Sequence, residues 1–97
     1  MKALKDQIGF DWDKGNINKN RKHTVKDKET EETFFDFNKV IYKDPLHSGQ
    51  EERFILLGKT KNERLLYTVF TVRKRKVRII SSRDINKKEI KLYEKTN

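Results

Sequence analysis

The chain contains no cysteine, which excludes disulfides, thiolate metal ligands and thiol nucleophiles. It has two histidines, His23 and His47, and neither sits in an HxxxH or HExxH spacing, so no structural zinc or other metal site is expected. The four glycines, Gly9, Gly15, Gly49 and Gly58, are scattered, so no glycine-rich phosphate loop exists. Ser48 beside His47 reads as a loop dipeptide rather than as a nucleophile with its base. No cofactor is expected. No apolar run approaches the ~20 residues of a membrane span, and the N-terminus lacks the apolar core of a signal peptide. No membrane association and a cytoplasmic location follow as expectations.

Charge is abundant. Lys and Arg number 24 against 15 Asp and Glu, a formal net charge of +9, and charged residues make up 40% of the chain. The excess is local: residues 73–78 read RKRKVR, whereas Glu29, Glu31, Glu32 and Asp36 form an acidic patch. A basic domain of this kind suits a polyanion or an acidic protein partner. Leu, Ile, Val and Phe supply 26 of the 97 residues, enough for a folded but thin core that a partner could help to cover. Residues 1–97 read as a single domain opening on a polar leader, Met1 to Gly9.

Three β-rich runs, Arg53–Leu57, Leu65–Val72 and Val77–Ser82, are joined by short polar gaps that favour antiparallel hairpins. Their nearly continuous apolar character predicts a meander covered on both faces. Phe10 to Asp13 alternates aromatic and acid, as in a short strand burying Phe10 and Trp12. Asp13 is then a candidate N-cap for a helix to about Lys22, with Ile17 as its one clear apolar anchor. Asp27 is a candidate cap for a second helix to about Phe35, docked by Phe34, Phe35 and Phe37. Val40–Tyr42 reads as a further strand, and Asp84 or Asn86 caps a last helix to about Lys95, with Ile85, Ile90 and Tyr93 on one stripe. The expected fold class is α/β in the α+β sense: an antiparallel sheet with two N-terminal helices and one C-terminal helix.

With metal, thiol and phosphate-loop chemistry set aside, phosphate chemistry by side chains remains. RNA cleavage then needs a base for the 2′-hydroxyl, cations for the charge developing on phosphorus and an acid for the leaving oxygen. Arginine suits the middle task, since its planar fork grips phosphate oxygens bidentately and stays charged. Arg53, Arg73, Arg78 and Arg83 lie at or near strand ends where they can converge, and Arg64 is a fifth arginine along the meander. Glu51, Glu52, His23, His47 and Lys59 are candidate proton carriers; adjacent Glu52 and Arg53 point to opposite faces unless a bulge intervenes. Trp12, Tyr67 and Tyr93 could stack on bases, although core packing suits Tyr67. The same residues would also serve a non-catalytic nucleic-acid-binding module, or merely solvate strand edges on a protein-interaction domain.

In order along the chain, several motifs resemble the BrnT family of toxins. Phe10-Asp11-Trp12-Asp13-Lys14, Asn18 and Lys22-His23 resemble that family's opening pattern. Asp44, His47-Ser48 and Glu51-Glu52-Arg53-Phe54 are similar to its DxxHSxxEERF segment, and Arg78-Ile79-Ile80-Ser81-Ser82-Arg83, Glu89 and Tyr93-Glu94 to its close. Thr24, where the family has glycine, and Asp36-Phe37, where it has Asp-Pro, depart from the pattern. The resemblance implies a type II toxin with a RelE-like fold: a metal-independent endoribonuclease that cuts RNA, inhibits translation and arrests growth. It implies a cognate BrnA-like antitoxin in a hetero-oligomer, with operator DNA bound only through the antitoxin. By motif position it implies Arg53, Arg83 and Arg78 as catalytic, with Glu52 and His23. Arg73, Lys59, Arg64, Lys22 and Trp12 are then expected to bind RNA.

Overall fold

The computed structural model describes residues 9–46, 49 and 51–96. Five strands, β1 (Gly9–Phe10), β2 (Val40–Lys43), β3 (Phe54–Lys59), β4 (Leu65–Arg73) and β5 (Lys76–Asp84), form one sheet in the order β1-β5-β4-β3-β2. β2 to β5 pair antiparallel as their short connections require, while β1 adds in parallel, with Phe10 opposite Val77. The register of β4 and β5 shifts between Val69 and Phe70, which face Ser81 and Ile79 and leave Ile80 as the extra residue of a bulge.

Each sheet face buries its own cluster. On one face Leu56, Phe70 and Ile79 meet Phe34, and Phe10, Trp12, Phe54 and Val77 pack around them. Phe34 stands edge-on to Phe10 and to Phe70, at centroid distances of 5.3 and 5.0 Å. Phe34 ends α1 (Asp27–Thr33), which lies close to the sheet because a β-carbon on Gly58 would come within 2.8 Å of the Thr33 carbonyl oxygen. On the other face Ile55, Leu57, Tyr42, Leu65, Tyr67 and Val69 pack with Tyr93 of α2 (Lys87–Thr96).

The N-terminal segment departs from expectation. Instead of a first α-helix there is a 3-10 helix, Lys19–His23, so the described residues form two α-helices rather than three, and the expected helix arrangement is corrected accordingly. Ile17 is half-exposed and supplies no apolar anchor. Buried asparagines hold the segment: the Asn16 side-chain amide donates to the Ile79 and Asp11 carbonyls, and the Asn20 side-chain oxygen accepts from the Ser82 N–H. These bonds satisfy the edge of β5 where two-residue β1 has already ended. Asp13 accepts from the Gly15 N–H rather than starting a helix. Lys26 occupies the N-cap position of α1, with its N–H bonded to Glu29, while Asp27 lies inside the helix and accepts from the Asn18 N–H. Phe34 docks as expected, but Phe35 and Phe37 are 38% and 86% exposed. At α2 the cap is Asn86: its side-chain oxygen accepts from the Glu89 N–H, and Glu89 accepts from the Asn86 N–H, a complete capping box.

Candidate active site

Alternation along β4 and the bulge at Ile80 of β5 together place Tyr67, Val69, Thr71 and Arg73 on the same face as Arg78, Ser81 and Arg83. Packing by α2 reaches the Tyr67 end of this face; the end near the β4–β5 turn carries arginines. Arg73 donates through Nε and Nη2 to both oxygens of Glu51, at 2.5 and 2.7 Å. Arg78 grips Asp13 with two bonds of 2.9 Å and lies 3.6 Å from Asp11. The hydrogen bond from Arg73 holds the Glu51 carboxyl below its ordinary range, with the charges of Arg73, Arg53 and Arg78 adding to the effect despite the opposing cost of desolvation. Glu51 is thus the point where the fields of Arg53, Arg73 and Arg78 meet. The Asp13 carboxyl is lowered too, first by its bond from Arg78 and then by the Gly15 N–H.

Arg83 lies on the same face, opposite Tyr67, and the Thr71 that faces Arg78 is four positions on from Tyr67, roughly 13 Å along β4. Its guanidinium sits 3.9 Å from the Tyr67 ring centroid and binds Glu89 through two hydrogen bonds of 2.9 and 2.7 Å. The network Arg83–Glu89–Asn86 therefore fastens the start of α2 to the sheet while leaving Arg83 partly exposed.

The remaining expected residues lie elsewhere. Arg64 binds Asp84 bidentately, Glu29, and the His23 and Thr24 carbonyls, tying the 3-10 segment, α1 and β5 together. Its donors are committed to the fold. Glu52 pairs with Lys43 of edge strand β2. His23 and Lys22 are exposed at the far end of β5, beside Arg64 rather than Arg78. The Trp12 indole donates to Glu31 at 2.7 Å and packs with the cluster on the α1 face. Lys59 stands at the other end of β3 from Arg53, about 20 Å along the strand. His47 and Ser48 lie outside the described residues. Glu51, which lies just before β3, joins the arginines through its two side-chain bonds from Arg73.

Among the described residues no group of three or more His, Cys, Asp or Glu side chains is placed to hold a metal ion, and no helix is long and apolar enough to cross a membrane. The family model described as the ribonuclease toxin BrnT, of type II toxin–antitoxin systems, matches residues 12–89 of the 97. The chain belongs to the BrnT family. Its function is accordingly that of a ribonuclease toxin with an antitoxin partner. No curated protein matches the chain. The match runs from Trp12 through Glu89 and so takes in every arginine of the basic face together with its carboxylate partners Asp13, Glu51 and Glu89.

Proposed function

We propose that this BrnT toxin is a metal-independent endoribonuclease whose substrate strand lies across the arginine face of the sheet. In the cell it would cut RNA in the cytoplasm, inhibiting translation and growth, until a BrnA-like antitoxin silences it and carries the complex to operator DNA. One observation carries the proposal: Arg73, held bidentately by Glu51, and Arg78, held bidentately by Asp13, lie together at the β4–β5 turn end of one sheet face. Guanidinium groups so placed bind non-bridging phosphate oxygens and stabilise the charge of a pentacoordinate phosphorus.

Glu51 is the proton carrier in this scheme. Phosphate draws Arg73 away, and the freed carboxylate becomes more basic and takes the 2′-hydroxyl proton. The 2′-oxygen then attacks phosphorus, the bond to the 5′-oxygen breaks, and that oxygen is protonated from solvent. Products are a 2′,3′-cyclic phosphate and a 5′-hydroxyl. Arg83, on the same face, grips the strand further along.

The β4–β5 turn supports an anionic ligand independently. Lys74 and Arg75 adopt φ of 49° and 67°, the left-handed pair of a type I′ hairpin turn. Asn-Gly suits that conformation far better, so two basic residues are held there against local preference. Replacing Arg53 or Arg78 with alanine should lower RNA cleavage at least ~100-fold with the circular dichroism spectrum retained. Unchanged rates in both variants would place the chemistry elsewhere.

A further inference from the structure

We infer that the Arg83 guanidinium, lying over the Tyr67 ring, is a stacking platform for an unpaired base of the RNA strand, and a specificity-determining group rather than a phosphate ligand. The inference rests on the proposed course of RNA across this sheet face. Arg83 Nη1 donates to the Asp84 carbonyl and to Glu89, and Nη2 to the other Glu89 oxygen, while Cζ lies 3.9 Å from the Tyr67 ring centroid. The side chain nevertheless keeps 37% exposure. With one face on the ring and the Nη1–Nη2 edge bonded, that exposure falls on the opposite face and on the Nε side. A guanidinium already immobilised loses little freedom when a flat ligand lands on it.

The carboxylate partners separate Arg83 from the other arginines. Glu51 and Asp13 are exposed and can swing aside for a phosphate. Glu89 is 12% exposed and held by the Asn86 N–H, so it cannot leave Arg83 without opening the start of α2. A phosphate seated here would lie beside a fixed carboxylate, whereas an uncharged base stacks on the free face and breaks no bond. The surroundings suit the edge of a base. Ser81, Val69, Ile55 and Tyr42 form the cross-strand row next to Arg83 and Tyr67, on the same face. The hydroxyls of Tyr42, Tyr67 and Ser81 have no hydrogen-bond partner among the described residues. Burial raises both phenols above their ordinary range against the opposing charge of Arg83, so both stay protonated at neutral pH. Hydroxyls donate or accept as a base edge requires, and stacking with such in-plane bonds is how single-stranded bases are read. The platform stands roughly 13 Å along β4 from the Arg78 row, so the base it takes flanks the cut rather than belonging to it.

The test is cleavage, by the purified full-length toxin, of a short RNA with one defined cut. An abasic ribonucleotide, or in a second series an uncharged methylphosphonate linkage, replaces each flanking position in turn. In the wild type, loss of the base at one flanking position should raise KM ~10-fold with kcat little changed, and the uncharged linkage there should change KM less than ~2-fold. Arg83→Lys keeps the charge and loses the plane; with its circular dichroism spectrum retained, it should raise KM for intact RNA ~10-fold and become indifferent to the missing base. If that variant does not fold, the two wild-type series decide alone. No abasic penalty at any flanking position, or one that Arg83→Lys keeps in full, would overturn the platform. An uncharged linkage that costs ~10-fold where the missing base costs nothing would make Arg83 a phosphate ligand and overturn it as well. Wild-type cutting by both Arg53→Ala and Arg78→Ala would instead overturn the arginine-face course of the strand, and the platform with it.

Discussion

Arg73 and Arg78 are held by carboxylates, so an RNA phosphate bound there, as proposed, must compete with Glu51 for one and with Asp13 for the other. On the proposed mechanism Glu51 has two opposing effects, competing for Arg73 in the ground state and accepting a proton in the reaction. Glu51→Gln should bind RNA several-fold more tightly, yet cleave it ~100-fold more slowly, the usual scale of losing a general base. Tighter binding with undiminished cleavage would make Glu51 only a latch. The hairpin tip separates stability from binding in the same way. Lys74→Asn/Arg75→Gly relieves two left-handed positions and should stabilise the fold by about 1–2 kcal/mol in thermal or urea unfolding. If both side chains contact phosphates, the same variant should lose about 1.4 from the slope of log affinity against log salt for single-stranded RNA.

At the scale of elements, α2 is fastened by Glu89, which completes the capping box and grips Arg83. Burial raises the Glu89 carboxyl, but the hydrogen bonds from Arg83 and the Asn86 N–H outweigh it and hold it below the ordinary range. Asp84 is lowered as well, chiefly by the bond from Arg64. A carboxyl with a depressed folded value contributes stability above its unfolded value and loses it as pH falls through the folded one. Wild-type Tm should therefore fall as pH drops from about 5 towards 3, and Glu89→Gln should start lower and respond less over that window. An equally steep fall in the variant would remove Glu89 from the linkage. The three meander strands were legible in the sequence because dense apolar, β-branched runs and short polar gaps leave few alternatives. The Asn16–His23 segment was not, because what orders it is two asparagines bonded to the edge of β5, an interaction without periodicity. Phe35 and Phe37 misled for the opposite reason: they look like core and are exposed.

For the molecule as a whole, Arg78 and Arg83 are five residues apart and would point to opposite sides of a regular strand; the bulge at Ile80 brings them onto one face with Arg73. What spacing could not supply was the sorting of the basic residues. Arg64 is spent on holding three elements together, Lys59 lines a groove at the other end of β3, and Glu51 rather than Glu52 faces the arginines. The result gathers Arg73 and Arg78 at the β4–β5 turn end of the sheet and leaves Phe35 and Phe37 exposed near the Lys59 end. The most direct test of the arginine face is the identity of the ends left on RNA cut by the purified toxin in excess EDTA. Catalysis by guanidinium and carboxylate groups alone predicts undiminished cutting, with 2′,3′-cyclic phosphate and 5′-hydroxyl ends. Loss of cutting that a divalent cation restores, or 5′-phosphate ends, would contradict it.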